Sequence, residues 1–373
     1  MKILAYPRDP NPYQRLLYSE MERLGAQVSY LGRLTPSGTL NLLLLPVETV
    51  VRRVTGARLV HLHWVFGFSL PGGQRFRVVR RLGQAWFGLW LRVTKLAGLR
   101  LVWTAHNVLP HSPVFADDAA ARRALVRRCD LVVAHSPAAL TGLSELGATP
   151  RGASLVVRHG PMGPAGLTGP SGLPAPWRMP GSGAGPREFL FFGRVTGYKG
   201  VEELLAAFND LAPGTPARLT VAGQCDDPGL RACLRAAERV RLRLERVPDR
   251  DVADLMAGAD VVVLPFRQVT TSGSAELALS YGRPLIVPGL PGLAGLPDAA
   301  VRRYDGSVPG LTAAIADLAG ADRSSMAAMS AAASAYSAQV SWHEIAVATL
   351  SAMESVVGGS DRAGARPGAA APT

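Results

Sequence analysis

The chain has 373 residues, 48% hydrophobic and 18% charged, which excludes a disordered or fibrous protein and allows two domains with separate cores. Its formal net charge of +12, from 40 basic and 28 acidic residues, indicates a polyanionic partner such as a phosphate ligand, an anionic membrane or a nucleic acid. The three cysteines show no paired spacing, which excludes a disulfide framework and favours a reducing compartment.

Short apolar runs alternate with amphipathic segments along the whole chain, and this alternation predicts α/β domains with parallel sheets. The predicted strands are 2–6, 27–31, 58–63, 101–104, 131–134, 154–158, 189–192, 218–222, 242–247, 261–265 and 284–287. No G-x-G-x-x-G follows the first strand, so a dinucleotide-binding dehydrogenase is disfavoured. The N-terminus lacks the apolar core of a signal peptide and no apolar run reaches about 18 residues, so we expect a cytoplasmic protein.

Candidate binding residues stand at the ends of two strands in the first half. His63 and Trp64 lie at the end of one strand, and His106 and Asn107 follow the next. Ligands of open parallel sheets bind outside the carboxyl ends of the strands, although each residue could equally belong to the core. His106 could be a general base or a hydrogen-bond donor to a sugar hydroxyl. No spacing of histidines and acids matches a metal cage, so we expect no metal.

The segment 75–99 is a predicted helix with a basic stripe beside tryptophans. The stripe contains Arg77, Arg81, Gln84, Arg92 and Lys95. Such a helix suits an anionic bilayer surface, and the alternative is a surface helix whose apolar side packs on the sheet. We expect the apolar side of this helix to pack on the sheet and its arginine-rich side to contact an anionic membrane.

The second half opens with a strand, a basic glycine turn and a helix, Phe189 to Phe208. Gly193, Arg194 and Lys199 lie in the turn. Backbone N–H groups at a helix N-terminus, together with two cations, form a place for phosphate, and the alternative is an ordinary turn with solvated basic residues.

A second cluster of polar residues precedes the helix predicted at 274–281. Its hydroxyl groups and backbone N–H groups can hold a phosphate or sugar oxygen, and Glu276 can accept hydrogen bonds from a ribose. The candidates for donor binding in this cluster are Thr271, Ser272, Gly273, Ser274 and Glu276.

Several motifs together resemble GT-B glycosyltransferases of the family 4 type. GRVTGYKG is similar to their GRxxxxKG stretch, DVADLMAGADVVVLPF and SGSAELALSYGRPLIVP resemble the segments that follow it, and VHLHW and TAHNVLPH resemble N-terminal segments of bacterial exopolysaccharide transferases. The resemblance covers about residues 1–357. Three features depart from the family pattern: Thr270 stands where the first of two glutamates is usual, Leu277 rather than Glu276 stands five residues before Gly282 where the second is usual, and PRDPNPYQ replaces a glycine pair.

The resemblance implies the GT-B fold, in which two Rossmann-like domains with parallel sheets face a cleft and a C-terminal helix crosses back. We expect an acceptor domain at 1–165, a Gly/Pro-rich linker at 166–186, a donor domain at 187–340, the crossing helix at 341–357 and a disordered tail at 358–373.

By the same resemblance, the chain is a glycosyltransferase that moves a sugar from a nucleotide-sugar donor to a lipid-linked or glycan acceptor at the inner face of the membrane. Arg194 and Lys199 would neutralise the diphosphate leaving group without a metal or cofactor, and His106 would face the sugar. His63, Trp64 and Asn107 would lie on the acceptor side.

Three alternatives stay open at this point. A GT-B sugar-nucleotide epimerase would use the same phosphate site, and a non-catalytic sugar-binding or phosphate-binding protein would hold the donor without releasing nucleoside diphosphate. A nucleic-acid-binding protein would use the charge alone, but the basic residues are scattered and show no recognition motif.

Overall fold

A computed structural model of the protein describes residues 1–9, 11–110, 112–163, 185–237 and 240–364. The chain forms two compact units, of which the first comprises Met1–Arg158 with the last helix and the second comprises His159–Ser341. The predicted first domain extended to residue 165, whereas the first stretch of the first unit ends at Arg158. Most of the predicted linker 166–186, and residues 365–373 of the predicted tail, lie outside the described residues.

The first unit contains a sheet of six parallel strands in the order β2-β1-β3-β4-β5-β6. The strands are β1 (Lys2–Tyr6), β2 (Gln27–Tyr30), β3 (Leu59–Leu62), β4 (Arg100–Ala105), β5 (Leu131–Ala134) and β6 (Ala153–Val156). The central strands β3 to β5 are buried apart from Arg100 at the start of β4, because helices cover both faces of a parallel sheet. Their runs of Val and Leu are therefore continuous rather than alternating.

The helices of the first unit include one that the sequence analysis did not predict, α2. The helices are α1 (Pro12–Arg23), α2 (Gly38–Val54), α3 (Arg77–Leu96), α4 (Asp118–Val126), α5 (Pro137–Glu145) and the last helix of the chain. Ser136 caps α5, since its hydroxyl accepts a hydrogen bond from the Ala139 N–H at 3.3 Å.

The second unit contains another parallel sheet of six strands, in the order β12-β11-β10-β7-β8-β9. The strands are β7 (Arg187–Phe192), β8 (Ala217–Ala222), β9 (Val240–Arg243), β10 (Val261–Val263), β11 (Leu285–Pro288) and β12 (Val301–Tyr304). β9 begins and ends earlier than the predicted 242–247, and β12 was not predicted. This strand order is that of a doubly wound Rossmann sheet, so the predicted α/β fold is confirmed.

The described helices of the second unit flank its sheet. They are α6 (Val201–Asn209), α7 (Pro228–Arg235), α8 (Asp249–Gly258), α9 (Gly273–Ser280), α10 (Val308–Gly320) and α11 (Arg323–Ala338). Two apolar cores lie on the two faces of this sheet. One contains Phe189, Phe191 and Phe208, and the other contains Leu190, Leu264 and Tyr281.

The last helix, α12 (Trp342–Gly364), packs against α1 and belongs to the first unit. The rings of Trp342 and Tyr13 have centroids 5.2 Å apart, and His343 Nδ1 lies 3.6 Å from Glu20 Oε2. The predicted return of the C-terminal helix is therefore confirmed. The helix ends at Gly364 rather than at Val357, so part of the predicted tail is helical.

Candidate active site

The strand order of the second sheet creates a crevice between the carboxyl ends of β7 and β10. The chain leaves β7 toward β8 and leaves β10 toward β11, on opposite sides, and ligands of such sheets bind at this point. The basic glycine turn follows β7, and the hydroxyl-rich segment follows β10. The fold therefore brings together two stretches that are about seventy residues apart in sequence.

Glycine is required at two places where backbone segments meet beside this crevice. Gly200 has a φ of 71°, and a Cβ there would lie 1.8 Å from the carbonyl oxygen of Pro265. Gly223 has a φ of 141°, and a Cβ there would lie 1.9 Å from the carbonyl oxygen of Gly193. Any side chain at either position would force the turns after β7 and β8 away from their neighbours.

Three predicted donor-binding residues converge at the centre of the crevice. A methyl group at Gly193 would lie 2.7 Å from Lys199 Nζ and 3.1 Å from Ser274 Oγ. The missing side chain of Gly193 therefore leaves a space with an ammonium group on one side and a hydroxyl group on the other. Such a space is complementary to an anionic oxygen.

Lys199 is held in an environment that disfavours its own charge. Burial, and then the nearby Arg194 guanidinium, lower the pKa of Lys199 to about 8. The ring of Phe266 lies 5.9 Å from Nζ, and no carboxylate among the described residues forms an ion pair with this lysine. An anion bound here would supply the missing counter-charge, so the site is prepared for a negatively charged ligand.

Arg194 is exposed and forms an ion pair at the edge of the crevice. Its Nη2 lies 2.6 Å from Asp226 Oδ2, while Gln224 Nε2 donates to the other oxygen of Asp226 at 2.8 Å. The Arg194 side chain is 67% exposed, and an ion pair so open to solvent contributes little free energy. The guanidinium can therefore exchange Asp226 for a ligand phosphate at small cost.

The segment before α9 places polar groups at the positive end of that helix. Ser272 caps α9, because its hydroxyl accepts from the Ala275 N–H at 3.1 Å. Thr271 Oγ1 is buried and has no hydrogen-bond partner among the described residues. Glu276 is buried within the first turns of the helix. Ser272 thus has a structural role besides the predicted ligand contact.

The N-terminus of α6 differs from its expected role as the phosphate site. Glu202 and Glu203 occupy its first turn and contact Arg267 at 2.8 Å and 2.6 Å. These carboxylates already compensate the helix dipole, and they would repel a phosphate. The predicted phosphate site at the N-terminus of α6 therefore stays a prediction, and the N-terminus of α9, where Ser274 lies near Lys199, offers a second positive helix end beside the same turn.

His159 is a residue near this crevice that the sequence analysis did not select. Its Nε2 lies 4.0 Å from the Cβ position of Gly273, and its Nδ1 bonds to the carbonyl oxygen of Gly160 at 2.9 Å. Burial lowers the pKa of His159 to about 4, so the ring is neutral at pH 7. No periodicity marks this position, which lies beyond β6 and before the Gly/Pro-rich segment.

The first unit gathers its predicted site residues at the carboxyl ends of β3 and β4. His106 is stacked on Trp64 with centroids 4.4 Å apart, and its Nε2 lies 3.0 Å from His63 Nδ1. His63 is only 1% exposed, so it supports His106 and cannot itself form an open surface for an acceptor. Asn107, next to His106, is partly exposed. The predicted approach of His106 to the donor residues of the second unit stays a prediction.

His61, Tyr18 and Thr104 join this cluster, and no pattern in the sequence marks Tyr18 or Thr104 as members of a site. The Tyr18 hydroxyl lies between His61 Nδ1, at 2.9 Å, and His63 Nε2, at 2.6 Å. Thr104 Oγ1 bonds to His61 Nε2 at 2.8 Å. Tyr18 comes from α1, and helical periodicity alone suggests only a core residue there. In the described ranges, no group of three or more His, Cys, Asp or Glu is arranged to hold a metal ion.

Comparison with protein families and with curated proteins supports a glycosyltransferase relationship. Residues 186–320 match the family model described as glycosyl transferases group 1. Over 233 residues, the chain is 28% identical to the GDP-mannose:glycolipid 4-beta-D-mannosyltransferase of Xanthomonas campestris pv. campestris. This alignment covers 61% of the chain and 60% of that relative, so the chain matches less than two thirds of the relative's length.

Solved structures agree with the chain over nearly its whole length. Sucrose-phosphate synthase from Thermosynechococcus elongatus has a TM-score of 0.71 at 16% identity, covering 96% of this chain and 99% of that one. HepE from Anabaena, solved in complex with UDP, has a TM-score of 0.66 at 17% identity, covering 95% and 99%. At these identities the likeness establishes the fold, which is the predicted GT-B fold.

Proposed function

We propose that this GT-B chain, whose residues 186–320 form a glycosyl transferases group 1 domain, transfers a sugar from a nucleotide-sugar donor to a glycolipid acceptor. The observation that carries the proposal is the convergence of Lys199, Ser274 and Gly193 at the switch point of the second sheet. A nucleoside diphosphate presents anionic oxygens that match an under-compensated ammonium, a hydroxyl and a helix N-terminus.

The proposed reaction needs charge stabilisation at the leaving group. The acceptor oxygen forms a bond to the anomeric carbon, the bond from that carbon to the pyrophosphate oxygen breaks, and the hydroxyl proton passes to the departing pyrophosphate or to solvent. Lys199 and the positive end of α9 would stabilise the charge that develops on the pyrophosphate. Arg194 would add a second cation after leaving Asp226. No step requires a metal ion.

Donor binding and product release test this function. We expect one of GDP, UDP, dTDP and ADP to raise the melting temperature of the chain, since a ligand of the native state stabilises it. GDP is the first candidate because the curated relative is named for GDP-mannose, and UDP is the second because HepE was solved with it. With the matching sugar donor and a polyprenyl-linked glycan, the enzyme should release free nucleoside diphosphate.

Each outcome of this experiment has a distinct meaning. Release that depends on the acceptor, with the sugar recovered on the lipid, supports the transferase. Stabilisation by a nucleotide without any release would indicate a binding protein. Isomerised donor in the absence of acceptor would indicate an epimerase. If all four nucleotides leave the melting temperature unchanged, the proposed phosphate site is wrong.

A glycolipid acceptor implies work at a membrane surface, and we propose that α2 and α3 form the contact with an anionic bilayer. The two helices pack on each other, and each exposes an apolar stripe. On α2 the stripe contains Leu40, Leu43, Val47, Val51 and Val54, and on α3 it contains Val78, Leu82, Leu89 and Leu96. Exposed Arg77, Arg81 and Arg92 lie among the apolar residues of α3. Apolar residues mixed with arginine suit insertion at the headgroup level.

Three side chains of the predicted membrane-binding helix make contacts within the first unit instead. The indole N–H groups of Trp86 and Trp90 donate to the Leu42 carbonyl at 2.9 Å and to Thr49 Oγ1 at 3.0 Å, so both tryptophans hold α3 on α2. Lys95 is paired with Asp130 at 2.6 Å. No helix of the described residues combines the length and the hydrophobicity of a membrane-spanning segment. Attachment would therefore depend on the exposed leucines, valines and arginines.

The triple substitution Arg77→Gln, Arg81→Gln and Arg92→Gln should weaken binding to vesicles that contain anionic lipid. A juxtamembrane arginine contributes about 1 kcal/mol to such binding, so we expect a loss of about 100-fold in partitioning, measured by vesicle sedimentation at low salt. A variant with Arg235, Arg246 and Arg323 of the second unit changed to glutamine carries the same net charge and should bind normally. Equal binding of wild type to neutral and anionic vesicles would refute the membrane proposal.

A further inference from the structure

A cavity of about 470 Å³ lies at the amino ends of β4, β5 and β6 in the first unit. Arg100 begins β4, Asp130 directly precedes β5 and Gly152 directly precedes β6, so parallel pairing brings three chain segments to one edge of the sheet. The ends of α3 and α4 and one turn of α12 complete the walls. His63 and His106 lie at the carboxyl ends of the strands, so this cavity is separate from the candidate active-site residues of the unit.

The side chains around the cavity carry a large excess of positive charge. Among the described residues that line it, Asp130 is the single carboxylate, and it already accepts three hydrogen bonds. Lys95 Nζ and the Leu101 N–H donate to its Oδ2 at 2.6 Å and 2.8 Å, and Arg100 Nη1 donates to its Oδ1 at 3.0 Å. The cationic side chains are Lys95, Arg100, Arg127, Arg128 and Arg151. Asp130 therefore neutralises one of five positive charges.

The three remaining arginines have no compensating acid in the part of the chain that the structure describes. Arg127, Arg128 and Arg151 form no ion pair there, and Arg128 Nη1 donates instead to the Ala124 carbonyl at 3.0 Å. Burial, and then the nearby guanidinium groups of Arg92 and Arg127, lower the pKa of Arg128. Cations that repel one another around a concave surface are stabilised by a bound anion.

We propose that this cavity, the arginine pocket formed by Lys95, Arg100, Arg127, Arg128 and Arg151, binds a phosphate group. A guanidinium group donates two parallel N–H bonds to phosphate oxygens, and the oxygens of a phosphate point in several directions. The four arginines stand on three different chain segments around the cavity, at the start of β4, after α4 and before β6. They therefore match a tetrahedral phosphate better than a planar carboxylate.

The surroundings of the arginine pocket favour the headgroup of an anionic phospholipid as the source of this phosphate. Helix α3 leads directly to the pocket, since Lys95 lines it and the next residue, Leu96, is 87% exposed. Arg92, which is close enough to Arg128 to lower its pKa, lies on the same helix. Exposed apolar and basic residues side by side suit the headgroup level of a bilayer. This source rests on the membrane contact proposed for α2 and α3, whereas the pocket itself depends neither on that contact nor on transferase activity.

Selective ¹⁵N labelling of cysteine tests the arginine pocket in the full chain. The sequence contains three cysteines, of which Cys129 lines the pocket, so its amide signal reports binding there. Cys225 directly precedes Asp226, the ion-pair partner of Arg194, and therefore reports phosphate bound at the donor site. Single Cys→Ala variants assign the signals. Addition of inorganic phosphate should shift the Cys129 signal of wild type.

The double substitution Arg127→Gln and Arg151→Gln should abolish most of this response. Both side chains are exposed and lie outside the apolar core, so the variant should fold. The dissociation constant for phosphate read from Cys129 should rise about 100-fold, since each lost charge-assisted contact contributes about tenfold. The response of Cys225 should be unchanged.

Sedimentation with phosphatidylglycerol vesicles at low salt distinguishes the two sources of the phosphate. The matched control, Arg15→Gln with Arg33→Gln, removes the same charge from exposed positions of the first unit outside the pocket. If phospholipid is the source, the pocket variant should partition about 30-fold more weakly than the control. Equal partitioning of these two variants would refute the phospholipid source and assign the pocket to soluble phosphate.

The remaining outcomes separate the pocket from the functions proposed above. A wild-type Cys129 signal that ignores phosphate, or one that responds equally in the double variant, would overturn the arginine pocket. Wild type that binds no vesicles would refute the membrane contact of α2 and α3, and a chain without transferase activity would refute the proposed reaction. In both of these cases the Cys129 titration still decides whether the pocket binds phosphate.

Discussion

Replacing Lys199 with methionine is expected to lower kcat/KM for sugar transfer by about 100-fold to 1000-fold, as the loss of one preorganised charge-stabilising group does. The same variant should be more stable than wild type at pH 7. Lys199 stands beside the space left by Gly193 and has no acidic partner among the described residues, so the fold leaves its charge uncompensated.

The sign of the stability change follows from the pKa of Lys199, which is lowered from 10.5 to about 8 in the folded chain. Below pH 8 Lys199 is charged in both the folded and the unfolded state. The buried charge then lowers the free energy of unfolding by up to about 3 kcal/mol. Between pH 8 and 10.5 the folded state loses its proton first, so wild-type stability rises. The advantage of the methionine variant should therefore be largest below pH 8 and decline above it.

Calorimetric melting at pH 7 and pH 10, together with steady-state kinetics, measures both effects. Lys2→Met is the matched control, since Lys2 is exposed and its Nζ donates to the Thr55 carbonyl at 3.0 Å in the first unit, and it should leave activity unchanged. A Lys199→Met variant that keeps near-normal kcat/KM would remove this lysine from the proposed mechanism. Lower stability at pH 7 would show that its charge is well compensated in the fold.

Acidification from pH 7 to pH 4 should destabilise both units strongly. His61 and His159 are buried with pKa values of about 3 and 4, against 6.5 for an ordinary histidine. As pH falls below 6.5, these two histidines become protonated in the unfolded chain but stay neutral in the folded chain. The free energy of unfolding therefore decreases until the pH reaches their pKa values in the folded chain. By pH 4 each of these two residues should lower the free energy of unfolding by about 3 kcal/mol. The pKa of His63 is also lowered by burial, so its protonation in the unfolded chain should add to this loss of stability.

Chemical denaturation followed at pH 7, 5.5 and 4 checks this expectation. His159→Gln should flatten the acid dependence of the second unit, because glutamine does not titrate. A His159→Gln variant with the acid sensitivity of wild type would contradict this prediction.

Most of the fold was predictable because buried parallel strands leave a strong local signal. Lys2–Tyr6 and Leu131–Ala134 were predicted with the observed bounds. The helix Gly38–Val54 was not predicted; it contains Pro46, which normally ends a helix, and here the buried Leu42 and Leu45 hold its inner face. Val301–Tyr304, with two arginines in four residues, also lacks the apolar run of a buried strand.

The candidate site was predictable only where its residues follow strand ends. Lys199, Ser274 and His106 were selected on that basis, and the resemblance to GT-B enzymes gave them roles. Tyr18 and Thr104, which hydrogen-bond the buried histidines of the first unit, were not predicted because an isolated tyrosine or threonine in an apolar element is usually a core residue. Their importance arises from contacts between β3, β4 and α1, and such contacts leave no pattern in a single sequence.

The packing of α12 on α1 has a consequence for synthesis on the ribosome. Because Trp342 covers Tyr13, the N-terminal unit lacks one of its own layers until residues 342–364 have been translated. Residues 159–341 can complete their fold earlier, although their synthesis starts later. A nascent chain halted before residue 342 would therefore display an uncovered apolar surface at its oldest end, where chaperones would recognise it.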